Sequence, residues 1–145
     1  MKNIGFYYLY RDASNFKRRG CIVFSNPKGL TPILVSNQIK KIIPNDLFIA
    51  DQVQLPELFI YNTEPLNPDD HCFHEFSKTV ATDDEADDLF YRTIADFIDE
   101  ITKALRDGWQ TFDPWVRCYE QRLNGLKRAN EISQGLSRNN DSPDR

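Results

Sequence analysis

The sequence predicts an α+β fold with two layers, in which helices pack on a mostly antiparallel sheet. Strand and helix signals follow one another in the order strand, strand, helix, strand, strand, strand, helix, helix. The helical stretches repeat apolar residues every three or four positions, whereas the strand stretches are short and rich in β-branched and aromatic residues. The opening strand–strand–helix–strand order is also that of a β-grasp sheet, although other two-layer folds share it.

The chain opens with a predicted β-hairpin. Apolar residues fall on both faces of a strand at residues 3–11, which indicates a central position in the sheet. Residues 12–15 have turn chemistry, because short Asp, Ser and Asn side chains satisfy nearby backbone groups. A basic loop at residues 17–20 is then expected to lead into a second strand at residues 21–25.

The first helix is predicted to begin at Pro32, with Thr31 as its N-cap, and to end before Pro44. Its apolar positions recur at helical spacing, and lysines and amides lie opposite them. Short strands are predicted to follow at residues 47–50 and 58–61, where apolar and aromatic side chains lie between turn residues.

The second half of the chain is predicted to add one strand and two helices. The strand covers residues 73–80, and the next helix begins after Thr93, with Asp96 at the capping-box position. Gly108 suits the C-terminal cap of that helix. The pair of Asp113 and Pro114 repeats the cap-plus-proline signature and begins the last helix.

The last helix carries large aromatic side chains. Trp115 and Tyr119 either close the core or offer an apolar surface to a partner, whereas Trp109 is expected in the core. From residue 134 the chain has almost nothing to bury. We therefore predict one domain at residues 1–133 and a flexible tail at residues 134–145.

Residues 69–76 hold both histidines of the chain and form its one candidate catalytic stretch. Imidazole and carboxylate groups are the usual metal ligands and proton carriers, which makes Asp70, His71, His74 and Glu75 the candidates for catalysis. The last three are the candidate metal ligands. On a regular strand His71 and His74 point to opposite faces, so chelation would need a bulge or turn between them. An ordinary strand with a polar edge is the favoured interpretation.

The net charge of −4 is unevenly distributed. Residues 1–61 carry eight basic and four acidic side chains, residues 62–107 carry four and thirteen, and residues 108–145 carry six and five. The acidic block in the middle is expected to be solvated surface or a dock for a basic partner. The candidate partner-binding residues are Asp83, Asp84, Glu85, Asp87, Asp88, Trp115 and Tyr119.

The basic residues of the N-terminal half suggest a second kind of binding, to nucleic acid. Lysine and arginine side chains near tyrosines could contact nucleic-acid phosphate, although such charges are more commonly only solvated. The candidate nucleic-acid-binding residues are Lys17, Arg18, Arg19, Lys28, Lys40 and Lys41.

Several classes of protein are disfavoured by what the sequence lacks. It has no signal-peptide pattern, no apolar run of membrane-spanning length and no nucleotide-binding, hydrolase or metalloprotease motif. Three widely spaced cysteines favour reduced thiols in the cytoplasm over a disulfide framework or a zinc ribbon. We expect no cofactor and no membrane association.

Three runs carry a family resemblance: residues 6–15, 23–27 and 70–76. In these runs the chain resembles a group of small uncharacterised bacterial proteins, often from cyanobacteria, over roughly residues 3–105. The resemblance implies no activity.

Three functions follow from these patterns as hypotheses. The first is a non-catalytic protein-interaction module, such as an accessory subunit of a larger bacterial assembly, that binds through a sheet edge, the acidic block or the last helix. The second is a small metal-dependent hydrolase or nuclease that uses the histidine stretch together with Asp12. The third is direct nucleic-acid binding through the basic residues. We favour the interaction module, since no motif supports catalysis.

Overall fold

The structure, a computed structural model, describes residues 2–140, with side chains up to residue 135. It divides into two compact units, Met1–Thr111 and Phe112–Arg145. The first unit holds the sheet and two helices, and the second holds one long helix. The elements are β1 (Asn3–Arg11), β2 (Lys17–Phe24), α1 (Pro32–Ile42), β3 (Leu47–Phe48), β4 (His74–Thr82), α2 (Ile94–Asp107) and α3 (Pro114–Asn140).

The four strands form one sheet in the order β2-β1-β4-β3. All three pairings are antiparallel, which confirms the predicted α+β class and the central position of β1. A β-grasp sheet has the same strand order but a parallel central pair, so the similarity to that fold ends at the order. The register between β1 and β4 shifts after Tyr7, where Ser77 forms a bulge opposite it.

The core lies between one face of the sheet and the helices α1 and α2. Phe6 of β1 meets Phe97 of α2 edge-on, with ring centres 4.9 Å apart, and Phe24 of β2 stacks on the same ring at 4.4 Å. Val35 and Ile39 bring α1 into this core. Trp109 also packs against it, as predicted.

Two predicted strands near the middle of the chain are corrected. The strand at residues 58–61 is absent, and a 3-10 turn at Ile60–Asn62 takes its place. The backbone there bonds to side chains: the Leu58 N–H donates to His74, and the Phe59 carbonyl accepts from Arg18. These bonds replace the ladder that a strand would need. The strand at residues 47–50 is shortened to β3.

The basic segment before the second strand is also corrected. Residues 17–20 belong to β2 itself and pair with β1, so the hairpin loop contains only residues 12–16. Asp12 closes that loop, since its carboxylate accepts hydrogen bonds from the N–H groups of Ser14 and Phe16, each at 2.9 Å.

The predicted capping box of α2 is confirmed. The Thr93 hydroxyl accepts a hydrogen bond from the Asp96 N–H at 3.1 Å, and the Asp96 carboxylate accepts one from the Thr93 N–H at 3.2 Å. Gly108 follows the last turn with φ +86°, a conformation that favours glycine. Local sequence therefore fixes both ends of this helix.

Replacing Thr93 by alanine is expected to lower the free energy of unfolding by about 1 kcal/mol, because the first turn of α2 loses its side-chain acceptor. Urea denaturation would measure the change. Thr93→Ser keeps the hydroxyl and serves as the control, so an equal loss in both variants would contradict a capping role.

In the second unit, α3 begins at the predicted Pro114 and runs to Asn140. The helix thus continues past residue 133, where the sequence suggested the end of the domain. The last part of the predicted flexible tail, residues 141–145, lies outside the described residues.

Candidate functional site

The histidine stretch lies at the start of β4. The strand begins only at His74, and the chain bends at Cys72. His71 and His74 both border a pocket of about 270 Å³ together with Arg11 and Glu75. The burial of the stretch alternates as predicted: Cys72, His74 and Phe76 are buried, whereas His71, Phe73 and Glu75 are half-buried.

Both histidines use ring nitrogens to bind backbone groups. His74 is fully buried, and its Nε2 accepts a hydrogen bond from the Leu58 N–H at 2.8 Å. In His71 the Nδ1 atom accepts from the Phe73 N–H at 3.0 Å, so Nε2 carries the proton and donates to the Arg11 carbonyl at 2.7 Å. These bonds hold the loop before β4 against its neighbours.

The two candidate carboxylates have partners of their own. Glu75 forms an ion pair with Arg11 at 3.0 Å. Asp70 accepts a hydrogen bond from the Tyr10 hydroxyl at 2.6 Å and another from the Asn67 N–H at 2.9 Å. Among residues 2–140, no three His, Cys, Asp or Glu side chains are grouped so that they could hold a metal ion.

The candidate cations lie on different sides of the first unit. Lys17 and Arg19 pair with Arg11 and Leu9 on the sheet face turned away from the helices. Lys40 and Lys41 are exposed at the end of α1, which packs on the opposite face, and the exposed Lys28 lies in the loop before that helix. These lysines and Arg19 therefore form no single stripe that could follow a phosphate backbone.

Arg18 has a structural role instead. Arg18 pairs with Tyr10 of β1 and therefore lies on the side of the sheet that faces the core. Its guanidinium donates to the Phe59 carbonyl at 3.0 Å and to the Thr63 hydroxyl at 2.7 Å. Arg18 thus fastens the irregular segment that replaces the predicted strand.

The acidic block is only partly a free surface. Asp83, Asp84 and Glu85 are exposed. The carboxylate of Asp83 binds the Lys2 ammonium group at 2.7 Å, and the Asp84 carbonyl accepts a hydrogen bond from the Asn3 side chain at 3.0 Å. These two contacts hold the start of the chain in place, and the acidic side chains remain exposed.

The carboxylates of Asp87 and Asp88 have structural roles. Asp87 covers the free edge of β2: its carboxylate accepts from the Val23 N–H at 2.7 Å, and its N–H donates to the Val23 carbonyl at 3.0 Å. Asp88 is buried and forms an ion pair with Arg92 at 2.9 Å. Asp88 is therefore removed from the predicted docking surface.

Sequence reasoning missed Arg92, because a spacing of four residues signals an ion pair only on a helix, and residues 88–92 lie before α2 begins. The Arg92 side chain is 8% exposed and bonds to both Asp88 oxygens, at 2.9 and 3.0 Å. It also donates to the carbonyls of Val53 at 2.7 Å and Gln54 at 2.9 Å, and lies 5.2 Å from the Phe97 ring centre. Arg92 thus joins α2 to the chain after β3.

The sheet face turned away from the helices carries an open groove of about 400 Å³. Tyr7 pairs there with Cys21 on one side and Lys78 on the other, and the lysine ammonium lies 5.2 Å from the tyrosine ring centre. Burial is the main cause of a raised pKa for the Cys21 thiol. The thiol is therefore protonated at neutral pH and is a weak nucleophile.

The most extended apolar feature belongs to α3. Its apolar stripe consists of Trp115, Val116, Tyr119, Leu123 and Leu126, all of which are exposed. At 100° per residue these five side chains cover an arc of about 100° on the helix surface. Of the five, Tyr119 is 67% exposed and Leu123 is 38% exposed. Trp115 and Tyr119 were candidates from the sequence, whereas the other three were assigned only to the helix.

The opposite side of α3 is polar. Arg117, Gln121, Asn124 and Arg128 lie there, half-buried in the case of Arg117 and exposed in the others. Such a helix is amphipathic, with an apolar side that has solvent as its neighbour. An apolar helix face of this kind marks a surface that can bind another protein.

No family model, curated protein or solved structure matches this chain. The resemblance to small bacterial proteins therefore stays a prediction. Within the described part of the chain, no helix is both long and apolar enough to cross a membrane.

Proposed function

We propose that this chain is a non-catalytic protein-interaction module that binds another protein through α3. The observation that carries the proposal is the apolar stripe, whose five large side chains are all exposed on one side of a 27-residue helix. A helix in water gains most of its stability from packing an apolar face, so an exposed stripe of this length favours a partner helix or groove.

The contacts at the histidine pocket support this function over a hydrolase. His71 uses both ring nitrogens for backbone hydrogen bonds, and Glu75 is paired with Arg11. A general base needs a nitrogen or carboxylate oxygen that faces the substrate. The bonds of these groups instead serve to hold the loop before β4.

The placement of the candidate cations supports a protein-interaction module over a nucleic-acid-binding protein. The candidates divide between two faces of the sheet, and Arg18 is engaged with backbone and side-chain oxygens. Binding to a phosphate backbone needs several cations on one continuous surface.

An accessory subunit of a larger bacterial assembly fits this kind of module. The suggested family resemblance points to a bacterial source. Cys21, Cys72 and Cys118 are free thiols, which is in keeping with a reducing compartment such as the cytoplasm. The exposed carboxylates of Asp84 and Glu85 would remain available to a basic partner surface.

Leu123→Glu is expected to reduce the amount of co-purified partner at least about tenfold, because a charge would be buried at the centre of the stripe. The measurement is quantitative capture of tagged full-length chain from its native cells, with the wild type in parallel. Ile132→Glu is the matched control: Ile132 is also exposed, at 59%, but nine residues of helix place it half a turn away from Leu123. Equal recovery with the wild type and Leu123→Glu would contradict the proposal.

A further inference from the structure

The segment between β4 and α2 exposes three large apolar side chains in a row. Leu89 is 77% exposed, Phe90 is 53% exposed and Tyr91 is 93% exposed. These three residues form an apolar turn, which a hydrogen bond from the Tyr91 N–H to the Asp88 carbonyl closes at 3.1 Å. A run of exposed apolar side chains lowers solubility and adds nothing to the core, so it indicates a surface that binds.

The backbone holds the apolar turn in place on both sides. Before the turn, the Asp87 N–H donates to the Val23 carbonyl of β2 at 3.0 Å. After the turn, the Ile94 N–H donates to the Ser25 carbonyl at 2.8 Å. A buried ion pair closes the base of the turn between these two bonds. A segment fixed in this way loses little conformational entropy when a partner binds it.

The backbone of Tyr91 is in the left-handed region, with φ +55°. This region is disfavoured for residues that carry a side chain, and glycine would occupy it without strain. The Tyr91 ring is almost fully exposed, so it gains little from contacts within the chain. A strained residue with an exposed aromatic ring is expected where the ring binds something outside the fold.

The surroundings of the apolar turn are acidic. Residues 79–102 contain eight Asp and Glu residues but a single basic residue, Arg92, which is buried. The Arg92 guanidinium carbon lies 5.4 Å from the Phe90 ring centre. The same arginine borders a shallow hollow whose other lining residues are Asp96, Asp99, Glu100 and Lys103. A surface that complements this charge carries lysine or arginine beside an apolar cleft.

We propose that the apolar turn is a docking surface of the first unit, additional to α3, and that its occupant is a protein with an apolar cleft rimmed by basic side chains. Phe90 and Tyr91 enter the cleft, because aromatic side chains contribute most at protein interfaces. The acidic groups around the turn face the basic rim. They also repel the anionic lipids of a bilayer surface, which disfavours a membrane as the occupant.

A photoreactive benzophenone amino acid in place of Leu89 tests this surface in the full chain, in its native cells. Illumination should give one discrete protein adduct, attached among apolar residues that lie next to lysine or arginine. Tyr91→Gly should reduce the adduct at least about tenfold. Glycine suits the backbone at this position, so the midpoint of urea denaturation should not fall. Phe16→Ser is the matched control, because Phe16 is an exposed aromatic residue of the hairpin loop and its loss should leave the adduct unchanged.

The charge of the partner has a readout of its own. Glu85 is exposed in the acidic segment before the turn, so Glu85→Lys should reduce the adduct about threefold. An adduct that this change leaves equally strong would overturn the basic rim. Equal adducts from the wild type and Tyr91→Gly, or no adduct at all, would overturn the docking surface.

Two further measurements on the purified full chain identify a different occupant. An adduct between two copies, formed when the purified chain is illuminated alone, would replace the partner protein by a second copy. Binding to phosphatidylcholine vesicles that Tyr91→Gly abolishes would replace it by a membrane. Either result would overturn the proposal. Leu123→Glu changes only α3, so the proposed function and the apolar turn can fail independently.

Discussion

Replacing Asp88 by alanine is expected to lower the free energy of unfolding by about 3–5 kcal/mol. The change would leave the buried Arg92 guanidinium with the carbonyls of Val53 and Gln54 but without a counter-charge. An uncompensated charge in the core costs far more than the pair itself contributes, which is why removal of one partner is severe. Urea denaturation followed by far-UV circular dichroism gives the value.

Asp83→Ala is the matched control, because Asp83 belongs to the same acidic block and is also ion-paired. Its partner is Lys2, and its side chain is 84% exposed. Exposed pairs contribute little, so the control is expected to change stability by less than about 1 kcal/mol. The double variant Asp88→Ala with Arg92→Met should lose less than the sum of the two single changes. Strict additivity, or equal losses in Asp88→Ala and Asp83→Ala, would contradict the assigned role of the pair.

The ion pair of Asp88 and Arg92 is expected to make the free energy of unfolding depend on pH. Burial opposes the charge on Asp88, but the hydrogen bonds and positive charge of Arg92 outweigh it, so the pKa of Asp88 lies below its usual value. A carboxyl with a lowered folded-state pKa stabilises the protein fully above its unfolded pKa of about 3.9, and this stabilisation is lost as the pH falls through the folded-state value. The difference in stability between wild type and Asp88→Ala should therefore shrink below about pH 4.

His74→Ala is expected to lower the free energy of unfolding by about 3–5 kcal/mol. The His74 ring lies 4.5 Å from the Phe59 ring and about 6 Å from the rings of Tyr8 and Tyr10, measured between centres. Removing it would leave a cavity among aromatic groups and would take the acceptor from the buried Leu58 N–H. Chemical denaturation of the two proteins measures the loss.

The stability of His74→Ala also separates the structural role from the hydrolase alternative. His74→Gln keeps an acceptor group and should recover part of the loss, since the Leu58 N–H can bond again. If His74→Ala instead kept the wild-type stability and lost a metal-dependent hydrolytic activity, the histidine pocket would be a catalytic site and the interaction module would no longer be the favoured function.

Local signals in the sequence determined the main elements. Thr31 and Pro32 placed the start of α1, and Thr93 with Asp96 placed the start of α2. These predictions succeed because a cap or an apolar period acts between residues that are only a few positions apart. The central position of β1 followed in the same way from apolar residues on both of its faces.

For the candidate surfaces, the sequence determined which side chains are present, whereas only the tertiary structure determined where they lie. The buried partner of Asp88, the backbone hydrogen bonds of His71 and His74, and the separation of Lys17 from Lys40 all depend on packing between distant segments. An exposed and a buried carboxylate look alike in a run such as residues 83–88. Burial is a property of the neighbours that folding brings together, and only the tertiary structure decides which side chains those are.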